Sequence, residues 1–230
     1  MRPTAMRALG TALVLVLCAS LAACGEKTQT TTHDSDACAG KGTVVGEADL
    51  DGSGSTRTVR LTGPGSGPCA DQLLWAAGES ADVAGLDLVA ADAKVVHLKG
   101  DGAGDLVLLS AKPHPRGGAQ VHLFGRGGRS GLTELTADGR PLVPFLATDG
   151  GAAPMTAACT DDGGIAVVSA KAHEPPGIVL AWDVTQTSYA VEDGRAVPQG
   201  ESSVAEAAAD PLLRKERPEL FDGSVFADCT

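Results

Sequence analysis

The chain has 230 residues, 43% of them hydrophobic, enough for one sizeable domain with its own core. Its formal net charge is −11, from 18 basic and 29 acidic residues, a balance that repels phosphate backbones and disfavours nucleic acid as a partner. Aromatic residues make up only 3%, against 30 glycines, so many turns are expected.

The first seven residues are basic, with Arg2 and Arg7, and Ala8 to Ala23 is apolar around Leu13-Val14-Leu15-Val16-Leu17. That stretch is too short for a stable membrane span and reads as an export signal, residues 1–23. It ends Leu21-Ala22-Ala23-Cys24, an aliphatic residue, two small residues and a cysteine. This order resembles the lipobox of bacterial lipoproteins. The resemblance implies that the Cys24 thiol takes a diacylglyceryl group and becomes the new N-terminus. The expected location is therefore the cell membrane, lipid-anchored on the extracytoplasmic face, with the membrane itself as a partner. Two or more acyl chains suffice for stable anchoring.

Residues 24–37 comprise this cysteine and a polar tether, GEKTQTTTHDSDA, without apolar period. Loss of residues 1–23 also removes Cys18. Four thiols remain in the exported part: Cys38, Cys69, Cys159 and Cys229. An even count outside the cytoplasm predicts two disulfides, and no C-x-x-C spacing suggests a zinc or redox site. Four cysteines allow three pairings. Cys38–Cys229 is the favoured one, because chain ends often lie close together.

Residues 38–230 are expected to form a single β-rich domain built from repeats. Gly104-Asp105-Leu106-Val107-Leu108-Leu109-Ser110-Ala111-Lys112-Pro113-His114 parallels Gly163-Gly164-Ile165-Ala166-Val167-Val168-Ser169-Ala170-Lys171-Ala172-His173. Leu123-Phe124 and Ala181-Trp182 close further apolar runs, and Asp138-Gly139-Arg140 and Asp193-Gly194-Arg195 read as hairpin turns. An upstream copy has strand signals at 43–50, 57–62, 72–75 and 86–89, which puts Trp75 level with Phe124 and Trp182. The repeats run over about 43–92, 93–139 and 140–198. The expected fold class is all-β: three four-stranded antiparallel units, propeller-like or an irregular β-sandwich. Three such units fall short of closing a propeller. A second chain could complete the ring, or the C-terminal cap at 199–230 could cover the open edge. Within that cap, 201–219 reads as the start of a short helix capped by Ser202 or Ser203.

Asp49-Leu50-Asp51-Gly52-Ser53-Gly54 and Gly100-Asp101-Gly102-Ala103-Gly104-Asp105-Leu106 are similar to the loops of FG-GAP or VCBS-type repeats. The resemblance implies β-propeller blades and, where the acids are present, a calcium ion. Asp49, Asp51 and Ser53 match the first three ligand positions, with Arg57 where the last Asp belongs. In the second copy Asp101 and Asp105 match, while His97 and Lys99 replace the first two ligands. In the third, Thr156, Ala158 and Thr160 occupy the ligand line. Calcium is thus the one cofactor in prospect, at Asp49, Asp51 and Ser53; the competing reading is no cofactor, with Asp and Gly simply making turns.

Lys112, His114, Lys171 and His173 form a second candidate. They follow equivalent strands and could share a rim that binds an anionic group or a transition metal. The alternative is a pair of duplicated surface loops, stiffened by neighbouring prolines. Gly125 to Gly131 is Gly-rich and basic, but a strand-like Leu132-Thr133-Glu134-Leu135 follows it, so a hairpin loop is expected rather than a phosphate cradle. Trp75 and Trp182 are expected to fill space between sheets rather than to stack sugars. No G-x-S-x-G, H-E-x-x-H or Walker motif occurs. The reading is a membrane-anchored, non-enzymatic binding or interaction module with a protein or glycan partner. Its rivals are an envelope hydrolase using a carboxylate pair and a calcium-stabilised structural lipoprotein.

Overall fold

The computed structural model describes residues 35–65, 67–75, 79–89, 92–113, 119–128, 131–143, 153–174 and 179–229. After a short helical turn, α1 (Ser35–Cys38), three sheets follow one another along the chain. The first contains β1 (Thr43–Ala48), β2 (Arg57–Leu61), β3 (Gln72–Leu74) and β4 (Ser80–Asp82). The second contains β5 (Lys94–Val96), β6 (Leu106–Ser110), β7 (Val121–Arg126) and β8 (Leu132–Glu134). A small hairpin, β9 (Thr136–Ala137) and β10 (Arg140–Pro141), comes next. The third sheet runs β11 (Met155–Cys159), β12 (Ile165–Ala172), β13 (Ala181–Glu192) and β14 (Arg195–Ala209), with β9 and β10 added beyond β14. The all-β class is that expected, but the third sheet has six strands rather than four, and β9 joins β14 in parallel.

The middle sheet is buried on both faces, which explains the unbroken apolar run of β6. Successive side chains on a strand point to opposite faces. Val107 and Leu109 enter a core shared with Val59, Leu73 and Trp75 of the first sheet. Leu106 and Leu108 enter a second core with Ile165 and Val167 of the third. Among the described residues no core cluster joins the first sheet to the third. The far face of the third sheet is covered instead by the C-terminal cap. Leu213 of α2 (Asp210–Glu216) and Leu220 of the 3-10 turn Pro218–Leu220 pack on Val168, Ala170 and Val184.

Several expectations need correction. Residues 201–209 are strand, not helix: they extend β14, which pairs with β13 from Ala181↔Ala209 to Glu192↔Arg195 through three register shifts. Pairing along a long partner overrides the helix propensity of Ala and Glu. The helix begins only at Asp210, and Ser202 and Ser203 do not cap it. The fourth strand of the first sheet is Ser80–Asp82 rather than 86–89. Residues 87–89 instead join the second sheet, through the Leu88↔Ala111 bridge and the Val89 N–H to Ser110 O bond of 2.8 Å.

Both Asp-Gly hairpins form, with φ of 50° and 74° at Asp138-Gly139 and 48° and 74° at Asp193-Gly194. They are not equivalent, however. The second links β13 to β14, whereas the first links β9 to β10; the matching turn of the second sheet is the Gly-rich loop, where Gly127 N–H donates to Gly131 O over 2.8 Å.

The disulfides are Cys38–Cys69 and Cys159–Cys229, with Cα separations of 5.5 and 5.6 Å. The Cys38–Cys229 pairing is therefore wrong. In an open row of three sheets the first and last are separated by the middle one. Each chain end is instead fastened to its own end of the row, Cys38 beside the β2–β3 connection and Cys229 at β11.

Candidate functional site

The turn between the first and second strands of each sheet has the same closure. Gly52 N–H donates to Asp49 O, Ala103 N–H to Gly100 O and Gly163 N–H to Thr160 O, each over 3.3 Å. The three turns also lie edge to edge. Asp49 N–H donates to Asp105 Oδ2 at 2.7 Å, and Asp105 N–H returns a bond to Asp49 O at 2.8 Å. Glycine makes this approach possible. A Cβ on Gly52, where φ is 66°, would lie 2.2 Å from Gly102 O, and one on Gly163, where φ is 84°, would lie 2.8 Å from Lys99 O. Lys99 Nζ reaches Asp161 Oδ1 at 3.5 Å and ties the second turn to the third.

Two adjoining clefts, of about 310 and about 400 Å3, open over these turns and share Gly102, Ala103, Gly163 and Val191. Asp51, Asp105, Arg126 and Asp193 line the first. Asp101, Asp162, Thr160, Ser188, Tyr189 and Gln199 line the second. The Ser53 hydrogen bond holds the Asp51 carboxyl below the usual carboxylate range, with a smaller pull from the Arg126 guanidinium. The Thr160 hydroxyl does the same for Asp162. Both groups are thus anionic at neutral pH. Arg126 reaches across from the second sheet to Glu79, 3.4 Å away, and approaches Asp51 at 4.0 Å. Asp105 is itself buried and contacts His97 Nδ1 at 3.1 Å.

Asp49, Asp51 and Ser53 do lie together in one turn, but their oxygens are engaged by the turn itself. Asp49 Oδ1 accepts from Ser53 N–H at 3.0 Å and Oδ2 from Gly54 N–H at 2.6 Å. Asp51 Oδ1 accepts from Ser53 N–H at 3.1 Å. Among the described residues no three His, Cys, Asp or Glu side chains gather as a metal site. A guanidinium beside Asp51 supplies positive charge where an ion would need oxygen. This arrangement does not fit a calcium ion, which takes six to eight oxygens.

The Lys–His rim is not gathered into one site by the contacts present. Lys112 pairs with Asp87, and His173 Nδ1 lies 2.8 Å from Asp183 Oδ1. Lys171 is exposed near the end of β12, and His114 lies outside the described residues. Trp75 is buried between the first two sheets and donates to Ala48 O at 3.1 Å. Trp182 packs edge-on to Phe221, its ring centre 6.5 Å away, and donates to Asp210 Oδ1 at 2.8 Å.

The sequence reading missed Arg126, Asp162, Tyr189, Asp193 and Gln199. One signal was available: aligning the third turn on Gly163 with Gly52, rather than on the ligand line, places Asp162 opposite Asp51. Cys24 and the segment before it lie outside the described residues, and among the described residues no helix is long and apolar enough to cross a membrane. Among the described residues, fold and site define the class as an all-β arrangement of three sheets with polar clefts at its turn end. Compared with family models, with curated proteins and with solved structures, the chain matches none.

Proposed function

We propose that the chain is a lipid-anchored, extracytoplasmic, non-enzymatic binding module whose ligand sits in the cleft over the three turns. The convergence of turns from all three sheets on two adjoining polar, largely acidic clefts supports this reading. A binding site built across repeats uses the part of the fold that the stacked strands hold most firmly. Removing residues 1–23, with Arg2 and Arg7 among the 18 basic residues, leaves 16 basic against 29 acidic residues. The ligand chemistry that complements this surface is cationic, such as a basic peptide segment of a protein partner.

Titration with a tri-lysine peptide at low salt, followed by calorimetry, tests the assignment. Asp101→Asn combined with Asp162→Asn should weaken binding at least about fivefold, roughly 1 kcal/mol. Glu201→Gln with Glu206→Gln, exposed acids on β14 outside the cleft, should leave it unchanged. Equal losses in the two variants would mean general attraction to an acidic surface and would remove the cleft from the reading.

A further inference from the structure

Among the described residues five large hydrophobic side chains are left exposed, and four of them belong to the third sheet and its cap: Val179 at 56%, Leu180 at 52%, Val204 at 41% and Leu212 at 50%. Single exposed apolar residues need no explanation, but a group of them does. The Asp210 N–H donates to Leu180 O at 2.9 Å, and Ala181 pairs with Ala209, so Val179 and Leu180 lie beside the start of α2, which carries Leu212. Leu213 points into the core, which turns its neighbour Leu212 outward. Lys215, three residues on, shares that outward side of the helix. Glu216, exposed and four residues on from Leu212, shares it too, whereas Lys171 on β12 pairs with Asp183 on β13 and points to the face of the sheet away from the cap.

We propose that this end of the third sheet, Val179, Leu180 and Leu212 with Lys215 beside them, is a membrane-contact surface that rests on the bilayer holding the anchor. The inference rests on the lipid anchor of the proposed function. Exposed apolar side chains with a lysine at their margin suit the headgroup boundary of a bilayer. The connection supplies the occupant. From Cys24 to Ser35 the chain extends at most about 35–40 Å. A domain so held has a lipid surface as its permanent neighbour, and this patch is the part of its described surface built to meet one. With that end down, a cleft elsewhere on the domain stays free for its ligand.

The test uses the lipidated chain in vesicles of phosphatidylcholine with one quarter phosphatidylglycerol, followed by flotation and amide hydrogen exchange. Exchange in 179–184 and 204–216 should slow at least about threefold on vesicles relative to detergent micelles, while 49–54 and 160–164 stay unchanged. Leu180→Glu with Leu212→Glu, both at exposed positions, should abolish the slowing and leave flotation intact. A chain that floats without slowing, or whose Glu variant slows equally, overturns the contact surface but leaves the anchor standing. A chain that does not float removes the anchor, and this inference with it. Slowing that follows protein concentration rather than lipid would assign the patch to a second copy and also overturn the proposal.

Discussion

The first and third sheets stand at opposite ends of the same row, and they are finished by different means. Strands of the first are three to six residues long, while β12, β13 and β14 of the third have 8, 12 and 15. The third sheet gains a helix, a 3-10 turn and an apolar cap on its far face. A buried polar contact joins the two inner strands of the first, where Thr62 Oγ1 accepts from Gln72 N–H at 2.8 Å, and the Cys38–Cys69 bridge ties down its start. Units in the interior of a row are covered on both sides by their neighbours, whereas terminal units must be closed by something else. This chain closes one end by hydrophobic burial and fastens the other by a short crosslink.

Removing the crosslinks would break the comparison most sharply. The Cys159–Cys229 bridge closes 70 residues and the Cys38–Cys69 bridge 31. By loop-closure entropy these contribute about 4.4 and about 3.7 kcal/mol. Cys159→Ala with Cys229→Ala should therefore lower the urea midpoint somewhat more than Cys38→Ala with Cys69→Ala. The larger contrast should be in place: hydrogen exchange should rise in the cap for the first pair and in β1–β3 for the second. Leu220→Ala comes next. Leu220 is fully buried between the cap and the third sheet, and its truncation should cost about 2–4 kcal/mol in chemical denaturation. At the turn end, Asp105→Ala removes the acceptor for Asp49 N–H and should cost about 1–3 kcal/mol, loosening the first turn against the second.

The smallest expected effect is acid sensitivity of the cap. The Trp182 indole N–H and then Arg214 hold the Asp210 carboxyl below its ordinary value of 3.8. A depressed carboxyl stabilises the fold fully above its unfolded value and loses that contribution as pH falls through the lower folded one. Asp210→Asn should therefore flatten the loss of stability below about pH 4. Urea midpoints at pH 3 and pH 6 in both proteins would show it.

Sequence and structure agree best where side-chain periodicity carries the information. The apolar runs of β6 and β12 and the Asp-Gly turns are visible because strands and type I′ hairpins constrain residue type directly. Residues 201–209 misled because Ala and Glu favour helix in isolation, while the long partner β13 supplies the pairing that decides. Strand β4, Ser80-Ala81-Asp82, carries no apolar signal, and its place is fixed by β3. At the candidate site, Asp49, Asp51, Asp101 and Asp105 could be found from their own turns. Arg126 and Gln199 could not, because they reach the cleft from strands distant in sequence.

The most direct test of the turn end is thermal unfolding of residues 25–230 in calcium and in excess chelator. Asp49 and Asp51 are engaged by backbone N–H groups and approached by Arg126, so the expected result is the same midpoint in both. A calcium ion at a hundredfold excess over its dissociation constant would add about 2.7 kcal/mol. For a domain of this size the midpoint would then rise by roughly 5–10 °C. A rise of that order, lost in Asp49→Ala with Asp51→Ala, would contradict a cleft closed by its own hydrogen bonds and establish an ion-ordered one.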